Sequence, residues 1–168
     1  EICDTQGASA VAADTLPIGV STLAPETRSS LLSTLMTAAM RQGDLRLLPR
    51  VLSRRAWTEK ELNRSGAAAA LFDSLRVLAD SLGDASMQWE SSRGIGFLRK
   101  DEGRQGEARE AFHGALRLSS RAGDSLNVAI ALDDIGSTYY YEDRLDSAAV
   151  YAVRAYATYE RLHDLPGM

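Results

Sequence analysis

Several residues have the types and spacings that chemistry would need, and each fails to find its partners. The run GIGFLRKDEG at 94–103 opens as a phosphate-cradling dinucleotide loop would, but Arg99 stands where a third glycine is required and no strand precedes it. Asp133 and Asp134 are paired carboxylates, yet a hard cation needs further oxygen ligands and none follows on the next turns, so they read as a solvated face. His113 and His163 titrate in the range useful for proton transfer, but no base or nucleophile stands beside either, and they read as solvated or capping side chains. His113 is expected opposite Phe112 and Ala115. Cys3 is the single cysteine; it cannot close an internal disulfide or, with two distant histidines, build a four-ligand zinc site. Asn63-Arg64-Ser65 fits a glycosylation acceptor, but no secretory signal precedes it. Of Tyr139, Tyr140 and Tyr141, phase leaves only Tyr140 outside the core. The expectation is a non-enzymatic protein with no cofactor and no metal.

Composition narrows the class further. A chain of 168 residues that is 45% hydrophobic and 25% charged can bury a substantial core as one domain or one repeat array. With 19 basic against 23 acidic residues, a net charge of −4 disfavours nucleic acid as a partner. No apolar run approaches the roughly 18 residues of a membrane span, so no membrane insertion is expected.

The elements that must position any functional side chain follow from an internal repeat. Asp44, Asp84, Asp124 and Asp164 recur every 40 residues, the first three preceded by Gly43, Gly83 and Gly123. Glycine closes a helix in the left-handed conformation and aspartate caps the next, so each pair is a helix-to-helix joint. A second break is expected midway, at Gly66, Gly106 and Asp146. Each unit is then two helices with apolar stripes at helical spacing: Leu132, Ile135, Gly136 and Tyr139 on one, and Ala148, Ala152, Ala155, Tyr156 and Tyr159 on the next.

This pattern resembles the tetratricopeptide repeat. In that family's order of large, apolar, small, aromatic, alanine, aromatic, alanine, the last unit reads Leu132, Ile135, Gly136, Tyr139, Ala148, Ala152, Ala155. The middle unit reads Ser92, Ile95, Gly96, Arg99, Ala108, Phe112, Ala115, and the first, most degenerate, Leu52, Arg55, Ala56, Glu59, Ala68, Phe72, Leu75. The period of 40 exceeds the usual period of about 34, which means longer helices. The resemblance implies an all-α helix-hairpin solenoid, a right-handed superhelix of about seven helices. Residues 1–25 are expected as an extended or partly disordered lead-in and 26–168 as the array, with a helix at 26–42 and repeats at about 45–83, 84–123 and 124–163.

In such an array the first helices line a concave groove. Reading out-of-phase positions at the 40-residue spacing places Arg50, Trp57 and Lys60, then Arg93, Phe97 and Lys100, then Asp133, Ser137 and Tyr140 in that groove, with Arg54 beside Trp57. This is an aromatic and basic floor with an acidic end at Asp133 and Asp134, suited to a protein or peptide ligand bearing an acidic and an apolar portion. The family's chaperone-binding branch clamps a terminal carboxylate with asparagines; Trp57, Phe97 and Ser137 stand at those places, so that activity is not expected. The last helix presents Val150, Val153 and Tyr156, which points to a homodimer through an uncapped C-terminal helix. The chain's ends read as those of an excised fragment, with the alternative of a sensory or regulatory array from a larger bacterial signalling protein.

Overall fold

Glycine followed by aspartate ends one helix and starts the next through one set of hydrogen bonds. The Gly43 N–H donates to the Met40 carbonyl and the Asp44 N–H to the Ala39 carbonyl, with Gly43 at φ 64°. This closure needs a left-handed residue at its turn, where glycine alone is unstrained. The same pair of bonds recurs at Gly83-Asp84 and Gly123-Asp124, at φ 65° and 69°. Each aspartate then accepts, on Oδ1, the free amide three residues on, from Leu47, Met87 and Asn127.

The computed structural model describes residues 18–163. Among them these joints set off seven helices: α1 (Pro25–Gln42), α2 (Leu47–Glu61), α3 (Ser65–Leu82), α4 (Ala85–Asp101), α5 (Gln105–Ala122), α6 (Ser125–Tyr140) and α7 (Leu145–His163). The fold is the all-α array of helix hairpins that the repeat predicts. Cys3, the lead-in up to residue 17 and the joint at Asp164 lie outside the described residues, as does the side chain of His163.

The second break differs from the sequence reading. It falls at Asn63, Gly103 and Asp143, which take φ of 56°, 76° and 55°, whereas Gly66, Gly106 and Asp146 lie in the first turns of α3, α5 and α7. The hydrogen bonds match those of the Gly-Asp joints: Arg64, Arg104 and Arg144 donate their N–H groups to the carbonyls of Glu59, Arg99 and Tyr139. Asparagine and aspartate tolerate the left-handed conformation, so three different residue types fill one role.

The chain divides into two compact units, Glu1–Leu75 and Arg76–Met168. In unit 1 the expected extended lead-in is corrected over its last residues. Ile18–Thr22 form a 3₁₀ turn, Val20 is buried with Leu32 and Val51, and Pro25 already belongs to α1. Arg28 secures this approach by donating to the carbonyls of Ser21 and Leu23 at 3.3 and 3.0 Å while pairing with Glu61 at 2.6 Å. Between α1 and α2 sits a buried carboxylate, Glu59, which accepts from Ser29 Oγ. Arg64 and Arg55 lie 3.4 and 3.8 Å from it.

In unit 2 the hairpins close on glycine. A Cβ at Gly96 would stand 2.5 Å from Cε1 of Phe112, so the buried ring occupies the space an alanine would need. A Cβ at Gly136 would meet Tyr151 Cβ at 3.2 Å and the Ala148 carbonyl at 3.4 Å. The aromatic of the last hairpin is thus Tyr151, stacked on Tyr139 at 5.5 Å, while Ala152 and Tyr156, expected in the buried stripe, are exposed. The stripe of α7 runs instead through Ala148, Tyr151, Ala155 and Thr158, a spacing of three and four residues.

Candidate partner-binding faces

The predicted groove residues fall on two faces, one in each unit. In unit 1, Arg50, Arg54, Trp57 and Lys60 all belong to α2. Trp57 is half-buried and meets the Phe72 ring edge-on at 5.2 Å, so part of the indole belongs to the hairpin core. In unit 2, Phe97 holds the corresponding place on α4, edge-on to Phe112 at 5.3 Å.

Around Phe97 the side chains of α4 and α6 form one connected arrangement. Arg93 and Lys100, four residues before and three after, lie on the same helical face as the ring. Their cations stand 4.9 and 4.7 Å from its centroid, within cation–π range. Lys100 also reaches Ser137 Oγ at 3.4 Å and stands 5.4 Å from the Tyr141 ring. Arg93 donates from Nε to Asp134 Oδ2 at 2.5 Å and lies 5.5 Å from the Trp89 ring.

Asp134 corrects the sequence reading. It was expected beside Asp133 as the acidic end of the groove; Asp133 is exposed, but Asp134 is only 6% accessible and bound to Arg93. Burial pushes the Asp134 carboxyl above the ordinary aspartate range. The Arg93 hydrogen bond and the charges of Arg93 and Lys100 oppose that rise, and Asp133 adds to it. Arg93 therefore neutralises a buried acid between α4 and α6. Ile130, one turn before Asp133 and Asp134 on α6, packs on the Trp89, Ala115 and Ala131 cluster.

Two further readings change. Tyr141 is as exposed as Tyr140, 66% against 63%, because α6 ends at Tyr140 and the chain turns there. His113 is half-buried with its ring 6.1 Å from that of Tyr151, not solvated on the far side of α5. Burial, with Arg117, Arg109 and Arg154 nearby, holds its pKa below the ordinary histidine value. Sequence reasoning also missed the Arg109 pair with Glu142, at 2.9 Å, which stacks the guanidinium 4.3 Å over Tyr139. The recurrence of Arg64, Arg104 and Arg144 at 40-residue spacing was the available signal for the joint next to it.

Gly94 and Gly96 lie within α4, so the run at 94–103 is helix and joint rather than a phosphate loop. Among the described residues no group of three or more His, Cys, Asp or Glu side chains is placed to hold a metal. No described helix is long and apolar enough to cross a membrane.

Comparison with known proteins places this geometry. No curated protein matches the chain. Among solved structures, BtubC (BKLC) from P. vanneervenii is similar in fold, with a TM-score of 0.71 over 84% of this chain at 21% identity. This chain spans 59% of that structure's length. The family model described as tetratricopeptide repeat matches residues 87–161, the span from α4 to α7 that carries the glycine-closed hairpins. Such repeats generally mediate protein–protein interaction. Residues 87–161 thus match the tetratricopeptide repeat, and the 40-residue period and the paired helices agree with that match.

Proposed function

We propose that the protein is a non-enzymatic interaction module that docks a peptide or partner segment on its first-helix faces, chiefly the one formed by α4 and α6. The observation that carries this reading is Lys100. Its ammonium lies between the Phe97 and Tyr141 rings, and Tyr140 and Tyr141 stand exposed next to it at the end of α6. Arg93, Phe97 and Ser137 form the floor, and the exposed Asp133 gives one end a negative charge. A segment carrying a carboxylate for Lys100 and an apolar side chain for the two tyrosines complements this face. The face of α2 with Arg50, Arg54, Trp57 and Lys60 is a second docking face. In a larger signalling protein the same faces would receive the signal.

Capture from source-cell lysate with the wild-type chain and with Lys100→Ser/Tyr140→Ala/Tyr141→Ala, read by quantitative mass spectrometry, tests the reading. A protein retained by the wild type and lost by the variant, with helicity unchanged, is the expected result. Identical captured sets would remove the α4 and α6 face from consideration. A second reading, self-association through α7, is favoured by the exposure of Val150, Val153 and Tyr156 at 57%, 67% and 62%. Light scattering should then show a dimer that Val150→Ser/Val153→Ser dissociates; a monomeric wild type refutes it.

A further inference from the structure

Arg46, which flanks the start of α2, and Arg50 and Arg54 within it recur every fourth residue, about 6 Å apart along one side of the helix. Arg46 and Arg54 are exposed and Arg50 is half-buried. None of the three guanidinium groups has an ion-pair partner among the described residues. The described acids of unit 1 are already engaged. Glu26 pairs with Arg64, Glu61 with Arg28, and Glu59 is buried among Ser29, Arg55 and Arg64. Asp44 caps α2, and Asp73 also has a partner. In unit 2, Arg93, Arg99, Arg104 and Arg109 pair with carboxylates, and Arg117 and Arg121, which like the α2 row have no ion pair among the described residues, make two at that spacing rather than three. A row of uncompensated guanidinium groups in a chain of net charge −4 is a local feature with a geometry of its own.

We infer that this row binds an acidic helix of a protein partner that lies along α2, with carboxylates on every fourth residue meeting Arg46, Arg50 and Arg54. The inference rests on the reading of α2 as a docking face and supplies its ligand chemistry. Guanidinium groups favour carboxylates because their planar donors match two oxygens at once. A ligand running along one helix, with its own turn as the repeat unit, matches the pitch at all three positions. Trp57, three residues past Arg54, offers an apolar edge at the end of the row.

The probe is a fluorescein-labelled, alanine-rich helical peptide with Glu at every fourth position, its binding to the 168-residue chain read by anisotropy. Binding should weaken as salt rises, since exposed charges are screened within about 10 Å at 0.1 M. It should fall about tenfold in Arg46→Ser/Arg50→Ser/Arg54→Ser, fall less than that in Lys100→Ser/Tyr140→Ala, and disappear when the peptide's Glu residues become Gln. Equal binding by the arginine variant overturns the inference. Loss in the Lys100 and Tyr140 variant alone does so too, while leaving the α4 and α6 reading intact. Tighter binding of a single-stranded oligonucleotide of equal charge would make the row a nucleic-acid surface and overturn it as well. Circular dichroism of each variant confirms that the fold is kept.

Discussion

In unit 1 the contact between α1 and α2 is organised round a buried carboxylate, whereas in unit 2 the hairpins are organised round aromatic rings laid on glycine. Glu59 requires Ser29 from α1, Arg55 from α2 and Arg64 from the joint after it, so its stability depends on every partner being in place. Phe112 over Gly96 requires only shape. Both units pair arginine with acids, but unit 2 also stacks it on tyrosine, whereas unit 1 carries the row Arg46, Arg50 and Arg54 along α2 without ion pairs among the described residues. A repeat can therefore keep its backbone joints while the interaction that closes it, and the surface it presents, change character.

Five substitutions test that contrast. Phe112→Ala should cost roughly 3–5 kcal/mol by urea denaturation, because the ring is fully buried and Gly96 offers no side chain to refill the cavity. A cost below 1 kcal/mol would mean the ring is not the keystone of its hairpin. Gly96→Ala should cost about 1–3 kcal/mol by overpacking against that ring. At Gly136 the neighbours need yield only a few tenths of an ångström and alanine's better helix propensity offsets part of the strain, so Gly136→Ala should cost less than Gly96→Ala. Glu59→Gln should cost about 1–3 kcal/mol through unsatisfied arginines. Its effect in hydrogen exchange should centre on α1 and α2, with protection in α5 and α6 unchanged; equal loss in both units would erase the distinction. The smallest effect is that of pH on His113. Its folded pKa is depressed, so its contribution is complete above the ordinary histidine value and is lost as pH falls through the folded value. His113→Gln should flatten the decline in stability between about pH 7 and 5.

The joints at Gly43, Gly83 and Gly123 were legible because their turn demands one residue type and the capping aspartate follows at once. The intervening joints were not, since Asn63, Gly103 and Asp143 satisfy the same φ with three residue types. Gly66 and Gly106, three residues later, gave the more visible but irrelevant signal. Helical phase identified Leu132, Ile135 and Phe112 as core. It misassigned Tyr156 because Tyr151, one position before the expected aromatic, swings across to Tyr139. At the faces, sequence located Arg93, Phe97, Lys100 and Ser137 on adjacent first helices. It could not reveal that Arg93 is bound to Asp134, because periodicity gives the side of a helix and not which side chain across the gap it meets.

The two tryptophans of the chain are divided between the two units, Trp57 edge-on to Phe72 in unit 1 and Trp89 buried under the Arg93 cation in unit 2. The molecule thus carries an intrinsic emission reporter in each half. Trp57→Phe and Trp89→Phe give single-tryptophan proteins in which quenching or a spectral shift can be assigned to one unit without any label.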